Sequence, residues 1–339
     1  MIRGGVPPPI AGRTTGVRTV SRNLLALSLL AAGLQGAIVG QAADIPKQRD
    51  LVNAATVGII SGGITGTYVR IASDLADAFD QGYDLRVVPV IGKGSVRNIE
   101  DLLLLRGIDI AIVQSDVLDF YKRTKLYPGI EDKIAYITKL YNEEVHLLAR
   151  AEFNSVDDLR GRRVNFGTEG SGTFMTAGII FDELGVEVEA TTYPEPEALA
   201  KLRAGEIAAL VFVGGQPLTL VTQIEADSGL RLLPIAPERV HGAYLPATLT
   251  AASYPNLIAP GESVPTLAVG AVMAAYDWPA DSPRSARVKR FVDHFFADFD
   301  RLKQAPYHKK WQEVDLRAPV PGWRRLDAAR ADLDEFKQR

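Results

Sequence analysis

The sequence predicts an α/β protein of two lobes, each a mostly parallel sheet with flanking helices. Two observations predict it. Short apolar, β-branched segments alternate with segments of helical period from Ala55 to about residue 113, and the same alternation restarts near Arg163. Two extended stretches, 135–150 and 265–275, lie where the chain would leave the first lobe and return to it. A chain of 339 residues also fits two domains of ordinary size.

In order, Thr56-Val57-Gly58-Ile59-Ile60 reads as a buried strand and 62–66 as a loop. Tyr68, Ile71, Ala72, Leu75 and Phe79 then recur at helical spacing. Strands are predicted over 85–90 and 108–113, with a helix over 95–106 between them. The second series predicts strands over 164–167, 188–192, 208–213 and 231–234, with helices over 172–184, 195–204 and 217–226. Near the end, Val288, Phe291, Val292, Phe295, Phe299 and Leu302 form one apolar helical face that needs a sheet to cover. The resulting division is a leader over 1–43, a first lobe of 52–145 plus 265–339, and a second lobe of 146–264.

Composition narrows the function classes. The chain is 47% hydrophobic and 23% charged, which is enough apolar material for real cores. It has no cysteine, so disulfides, zinc ribbons, iron–sulfur centres and thiol nucleophiles are excluded, and only four histidines remain as soft ligands. Arg3, Arg13, Arg18 and Arg22 precede an apolar run over 24–34 and then small residues around Ala42 and Ala43. That order is the pattern of a cleaved secretory leader. The run is too short to span a bilayer, which takes ~20 residues. Loss of those arginines deepens the excess of 41 acidic over 38 basic residues, which argues against nucleic acid as a partner. The mature chain is expected to be a soluble periplasmic protein.

Three loops are candidates for chemistry. Ser61-Gly62-Gly63-Ile64-Thr65-Gly66-Thr67-Tyr68 follows a strand and opens a helix, so its amides and the helix dipole would favour an anion, carboxylate or phosphate. No GK[ST] and no GxGxxG accompanies it, which argues against a nucleotide site. A plain glycine-rich connection capped by Thr65 or Thr67 is the simpler alternative. Thr168-Glu169-Gly170-Ser171-Gly172-Thr173 has the same build in the second series, with Ser171 or Thr173 as cap. Two such loops at the carboxyl ends of strands, one per lobe, are more informative than either alone. Gln114 and Ser115, at the end of a buried strand, would reach a ligand from below, or Ser115 would only cap. A hydrolase elbow at Ser171 fails because Glu169 and Thr173 stand where glycines are required. Gly92-Lys93-Gly94-Ser95 reads as a loop and cap. Glu143, Glu144 and His146 supply too few ligands for a convincing metal site. No metal, cofactor or catalytic residue is expected, and no general base stands beside a nucleophile.

The segments Ser61 to Tyr68, Ile110 to Asp116, Glu143-Glu144-Val145-His146, Gly170-Ser171-Gly172-Thr173 and Val213-Gly214-Gly215-Gln216-Pro217 occur in an order that resembles the TAXI family of solute-binding proteins, the extracytoplasmic receptors of a class of TRAP transporters. The resemblance spans about residues 52–300. It implies a two-lobed, type II-like periplasmic-binding-protein fold that closes on a small carboxylate, such as glutamate or 2-oxoglutarate, and delivers it to TRAP-type membrane permease subunits. Carried over by position, Thr65, Gly66, Thr67 and Tyr68 would hold the ligand from one lobe and Gly170, Ser171, Gly172 and Thr173 from the other, with Gln114 and Ser115 on the floor. The sequence departs from the family at Arg70, where proline is frequent, and at Phe174, where an acid is common. A periplasmic sensor for a membrane signalling partner, or an enzyme on the same fold, are the alternatives.

Overall fold

The computed structural model describes residues 45–64, 66–242 and 244–336; the expected leader over 1–43 and Thr65 lie outside the described residues. Residues 45–51 are helical and exposed. All elements named below belong to the compact unit Val52–Arg339.

Ten strands form one mixed sheet in the order β2-β1-β3-β10-β4-β7-β5-β6, with β8 added to β4 and β9 to β10. At one end, β1 (Thr56–Ile60) pairs in parallel with β2 (Arg86–Val90) and β3 (Ile110–Gln114). Helices α1 (Thr67–Phe79) and α2 (Ser95–Leu104) make the crossovers, and α3 (Val117–Thr124) follows β3. At the other end, β5 (Arg163–Asn165) pairs in parallel with β6 (Glu189–Thr191) and β7 (Ala209–Gly214), joined by α4 (Gly172–Leu184) and α5 (Glu195–Arg203). Each parallel set therefore has the strand–helix rhythm read from the sequence, and α4 begins and ends at the predicted residues.

The two extended stretches are the long central strands. β4 (Ile134–Arg150) and β10 (Ser263–Tyr276) pair with each other in antiparallel fashion and tie the two parallel sets into one sheet. β8 (Leu230–Leu232) and β9 (Leu245–Thr250) extend this junction. The period-2 alternation of β4 distributes its side chains to both sheet faces. Ala135 and Ile137 enter one core cluster and Ile134 and Tyr136 another; further on, Val145, Leu147 and Ala149 enter a third and Leu148 a fourth. Such a strand has to be apolar on both faces, which is why it reads as a continuous hydrophobic run.

The helix expected over 217–226 is a single turn, Thr219–Thr222. Val221 and Ile224 are buried, the Ile224 N–H bonds back to the Val221 carbonyl at 3.2 Å, and the Leu218 N–H donates to the Tyr254 hydroxyl at 2.9 Å. The C-terminal region packs on the β1–β3 side. In α6 (Pro283–Ala297), Val288, Phe291, Val292 and Phe295 pack with Phe79, Phe299, Leu302 and Trp311. The segment beyond Gln304 covers the sheet: Leu326 N–H bonds the Tyr136 carbonyl at 2.8 Å and Trp323 Nε1 the Ser115 carbonyl at 2.8 Å, and a last helix, α7 (Asp327–Phe336), follows. Ser282 caps α6 by accepting the Ser285 N–H at 3.1 Å. Ser282→Ala is expected to cost about 1 kcal/mol in denaturant unfolding, the usual value of a lost N-cap; no change would mean that water replaces the cap.

Candidate functional site

The carboxyl ends of the parallel strands on both sides of the β4/β10 junction open into one cavity of about 570 Å³. Of the residues expected to hold a ligand, Gly66, Thr67, Tyr68, Gln114, Ser171, Gly172 and Thr173 line it. The two glycine-rich loops, more than 100 residues apart in sequence, thus meet at one space. Thr65 lies outside the described residues.

The starts of three helices, α1 at Gly66-Thr67-Tyr68, α2 at Gly94-Ser95 and α4 at Ser171-Gly172-Thr173, border the cavity at its floor, and the start of α5 at Glu195-Pro196, which carries an acid, borders it on another wall. α1 and α2 have glycine at the N-cap and no side-chain cap; in α2 the Arg97 N–H is taken by the Gly170 carbonyl, which leaves the donors at the very start of each helix. Those donors and the positive ends of the helix dipoles favour an anion. In α4 the Ser171 hydroxyl oxygen accepts the Phe174 N–H at 3.0 Å and the Thr173 hydroxyl oxygen accepts the Val213 N–H at 3.2 Å, and each hydroxyl keeps its proton to donate.

Two of the expected site residues do not line the cavity. Ser115 Oγ accepts the Gly270 N–H at 3.2 Å, the Ser115 N–H bonds the Gly270 carbonyl at 2.8 Å, and its own carbonyl takes Trp323 Nε1. These bonds fasten β3 to β10. Gly170 offers its carbonyl to the Arg97 N–H at 3.0 Å, a bond that joins the start of α2 to the loop before α4. A second tie is made by buried Asp116, whose Oδ2 accepts from Thr176 Oγ1 at 2.7 Å and from the Tyr244 hydroxyl at 2.9 Å. Burial pushes the Asp116 carboxyl up to about 6, against the pull of these two donors. Arg70 and Phe174 are also absent from the lining: Arg70 is exposed and Phe174 packs on the core beside α4.

The structure adds residues that sequence reasoning passed over. Ser95, read as part of a plain loop, donates to Gln114 Oε1 at 3.1 Å and accepts the Gln114 N–H at 2.9 Å, so the two form one polar floor. Asn98 is fully buried and its Nδ2 bonds the carbonyls of Ser61 at 2.7 Å and Ile112 at 2.9 Å. It fixes the spacing of the β1 and β3 ends beneath the α1 loop.

Glu143 is the other addition. It sits in the middle of β4, almost wholly buried, lines the cavity, and accepts a 2.5 Å hydrogen bond from the Tyr68 hydroxyl. Burial pushes its carboxyl up to about 8; Glu144 and Asp116 add to the rise, while the Tyr68 hydroxyl and Lys310 oppose it. At neutral pH the group is therefore largely protonated, and the floor carries no fixed negative charge. Strand alternation sends the neighbouring acid and histidine elsewhere. Glu144 Oε2 accepts the Gln216 N–H at 2.7 Å, and His146 Nε2 meets the Tyr254 hydroxyl at 2.7 Å, with burial holding the imidazole down to about 4. The signal in the sequence was two acids inside an apolar strand.

The fold is one found in solved structures. It is shared with the periplasmic binding protein BugD, 12% identical over 84% of this chain and 94% of that chain, with a TM-score of 0.51. A protein from Bordetella bronchiseptica RB50 is likewise 12% identical over 84% of this chain and 99% of that chain, with a TM-score of 0.52. The α/β architecture expected from the sequence, a sheet with flanking helices in the manner of periplasmic binding proteins, is therefore the one observed. The model of the NMT1-like family matches residues 59–316, and with most of its length inside that match the chain belongs to the NMT1-like family.

Proposed function

We propose that this protein is an extracytoplasmic solute receptor of the TAXI type, exported by its N-terminal leader, that binds a small organic anion in the cavity and presents it to TRAP-type permease subunits. The observation that carries this reading is the meeting of the α1, α2 and α4 starts at one cavity. A carboxylate supplies the charge that those N–H groups and dipoles stabilise. Thr65, Gly66, Thr67, Tyr68 and Gln114 hold it from one lobe, 52–145 plus 265–339. Ser171, Gly172 and Thr173 hold it from the other, 146–264. β4 and β10 act as the hinge strands, and closure excludes water from the ligand. In this reading the ligand is released unchanged. Membership of the NMT1-like family and the fold shared with a periplasmic binding protein support the same reading.

The test is the identity of what the protein retains. The leaderless chain, purified natively and then unfolded, is expected to release a carboxylate detectable by mass spectrometry, and calorimetry with that compound should return one site per chain. The reading fails if no anion is retained or bound, or if the purified protein converts the compound it binds.

A further inference from the structure

The cavity is larger and less polar than a dicarboxylate of glutamate size requires. About 570 Å³ is in the range of pockets that enclose drug-sized molecules. Its polar groups are concentrated at the floor, where Tyr68, Ser95, Gln114 and Glu143 meet the three helix starts. The wall built by α5, β7 and the turn after β7 brings Leu199, Phe212, Leu218 and Leu220 to the cavity, with Thr219 and Gln223 beside them on the turn. Leu199, Leu218 and Leu220 pack on a core cluster from one side but are only partly covered, so each keeps apolar surface turned to the cavity. The charged lining residues of this wall, Glu195 and Arg203, are exposed at the two ends of α5 and are of opposite sign, so the wall has no net charge. A small dicarboxylate held at the floor would leave the leucines wet and would put its second charge against them.

We infer that the ligand is an amphipathic monocarboxylate, with its carboxylate at the helix starts and a linear or aryl hydrocarbon body lying on the Leu199, Phe212, Leu218 and Leu220 wall. The inference rests on the receptor reading and narrows its ligand class. The Tyr68–Glu143 pair closes the floor without adding charge, and the body is drawn in by burying apolar surface against partly covered side chains.

The experiment is calorimetric titration of the leaderless protein at pH 7 with butanoate, hexanoate, octanoate, decanoate and phenylpropanoate, beside glutamate and 2-oxoglutarate. Affinity is expected to rise about fourfold per added methylene until the cavity is filled, the value of one buried CH₂. Octanoate should exceed both dicarboxylates by more than tenfold. In the Leu199→Gln, Leu220→Asn double variant the ratio of octanoate to butanoate affinity should fall at least tenfold. A flat series with glutamate or 2-oxoglutarate binding tightest would overturn the inference and leave the receptor reading in place. If no carboxylate of either class binds, the receptor reading itself fails and the inference with it.

Discussion

Gly172→Ala is expected to weaken ligand binding by about 10- to 100-fold while leaving the unfolding midpoint close to that of the parent protein. A methyl group at position 172 would lie 1.6 Å from Gln114 Oε1 and 2.6 Å from Ser95 Oγ. Neither neighbour can simply turn away, since Gln114 and Ser95 are buried and bonded to each other. Overpacking of this kind costs about 1 to 3 kcal/mol, which is roughly 5- to 150-fold in an equilibrium constant. The position lies in the first turn of α4 with an ordinary helical backbone, so alanine adds no backbone strain. The cost is therefore concentrated in the arrangement that brings 172 against 95 and 114. A chain free to part these segments avoids it, which is why affinity should fall and stability should not. Calorimetry of the variant with the retained ligand, beside thermal unfolding of the unliganded protein, separates the two. Unchanged affinity would mean that the cavity does not need this close approach, and an equal loss of stability would mean that the two sides never part.

Glu143→Gln is expected to abolish most of a decline in stability that the parent protein shows between pH 6.5 and 8, and to make the variant the more stable of the two at pH 9. The direction follows from proton counting. In the folded chain burial holds the Glu143 carboxyl up to about 8, against an ordinary 4.5. Between those values the folded state keeps a proton that the unfolded chain has released, so stability falls as pH rises and levels off above about 8. Each unit of pH in that window corresponds to about 1.4 kcal/mol. Below pH 6.5 two other buried groups contribute. Asp116, up to about 6, adds to the fall with rising pH, while His146, held down to about 4, opposes it. Glutamine cannot ionise, yet its carbonyl can still accept from the Tyr68 hydroxyl. Urea unfolding at pH 6.5, 7.5 and 9 measures the effect; parallel curves for parent and variant would sink it. Under the proposed function the same substitution should also remove a loss of anion affinity above pH 8, where an ionised Glu143 would repel the ligand.

Much of the fold was legible because it rests on local rules. The helical period of Tyr68, Ile71, Leu75 and Phe79, the glycine loops at strand ends and the Phe-rich face of α6 each encode an element from nearby residues alone. The long strands β4 and β10 showed themselves as extended apolar runs, since both faces of each are buried. The segment over 217–226 misled because the apolar spacing of Val221 and Ile224 suits a single turn as well as a helix.

The site divides in the same way. That two loops would offer backbone donors followed from glycines before helix starts, a local property. How the polar side chains are placed depended on hydrogen-bond partners that the local sequence does not name: Ser115 bonds Gly270, and the Ser171 and Thr173 oxygens accept the Phe174 and Val213 N–H groups while keeping their own protons to donate. Ser95 gained its place from Gln114, and Glu143 from Tyr68, 75 residues away. The sequence by itself determined the elements and their order, because periodicity and capping act within a few residues. Only the tertiary structure decided the floor, the neutral acid and the apolar wall of the cavity, because burial and the hydrogen bonds that accompany it are properties of surfaces brought together across the whole chain.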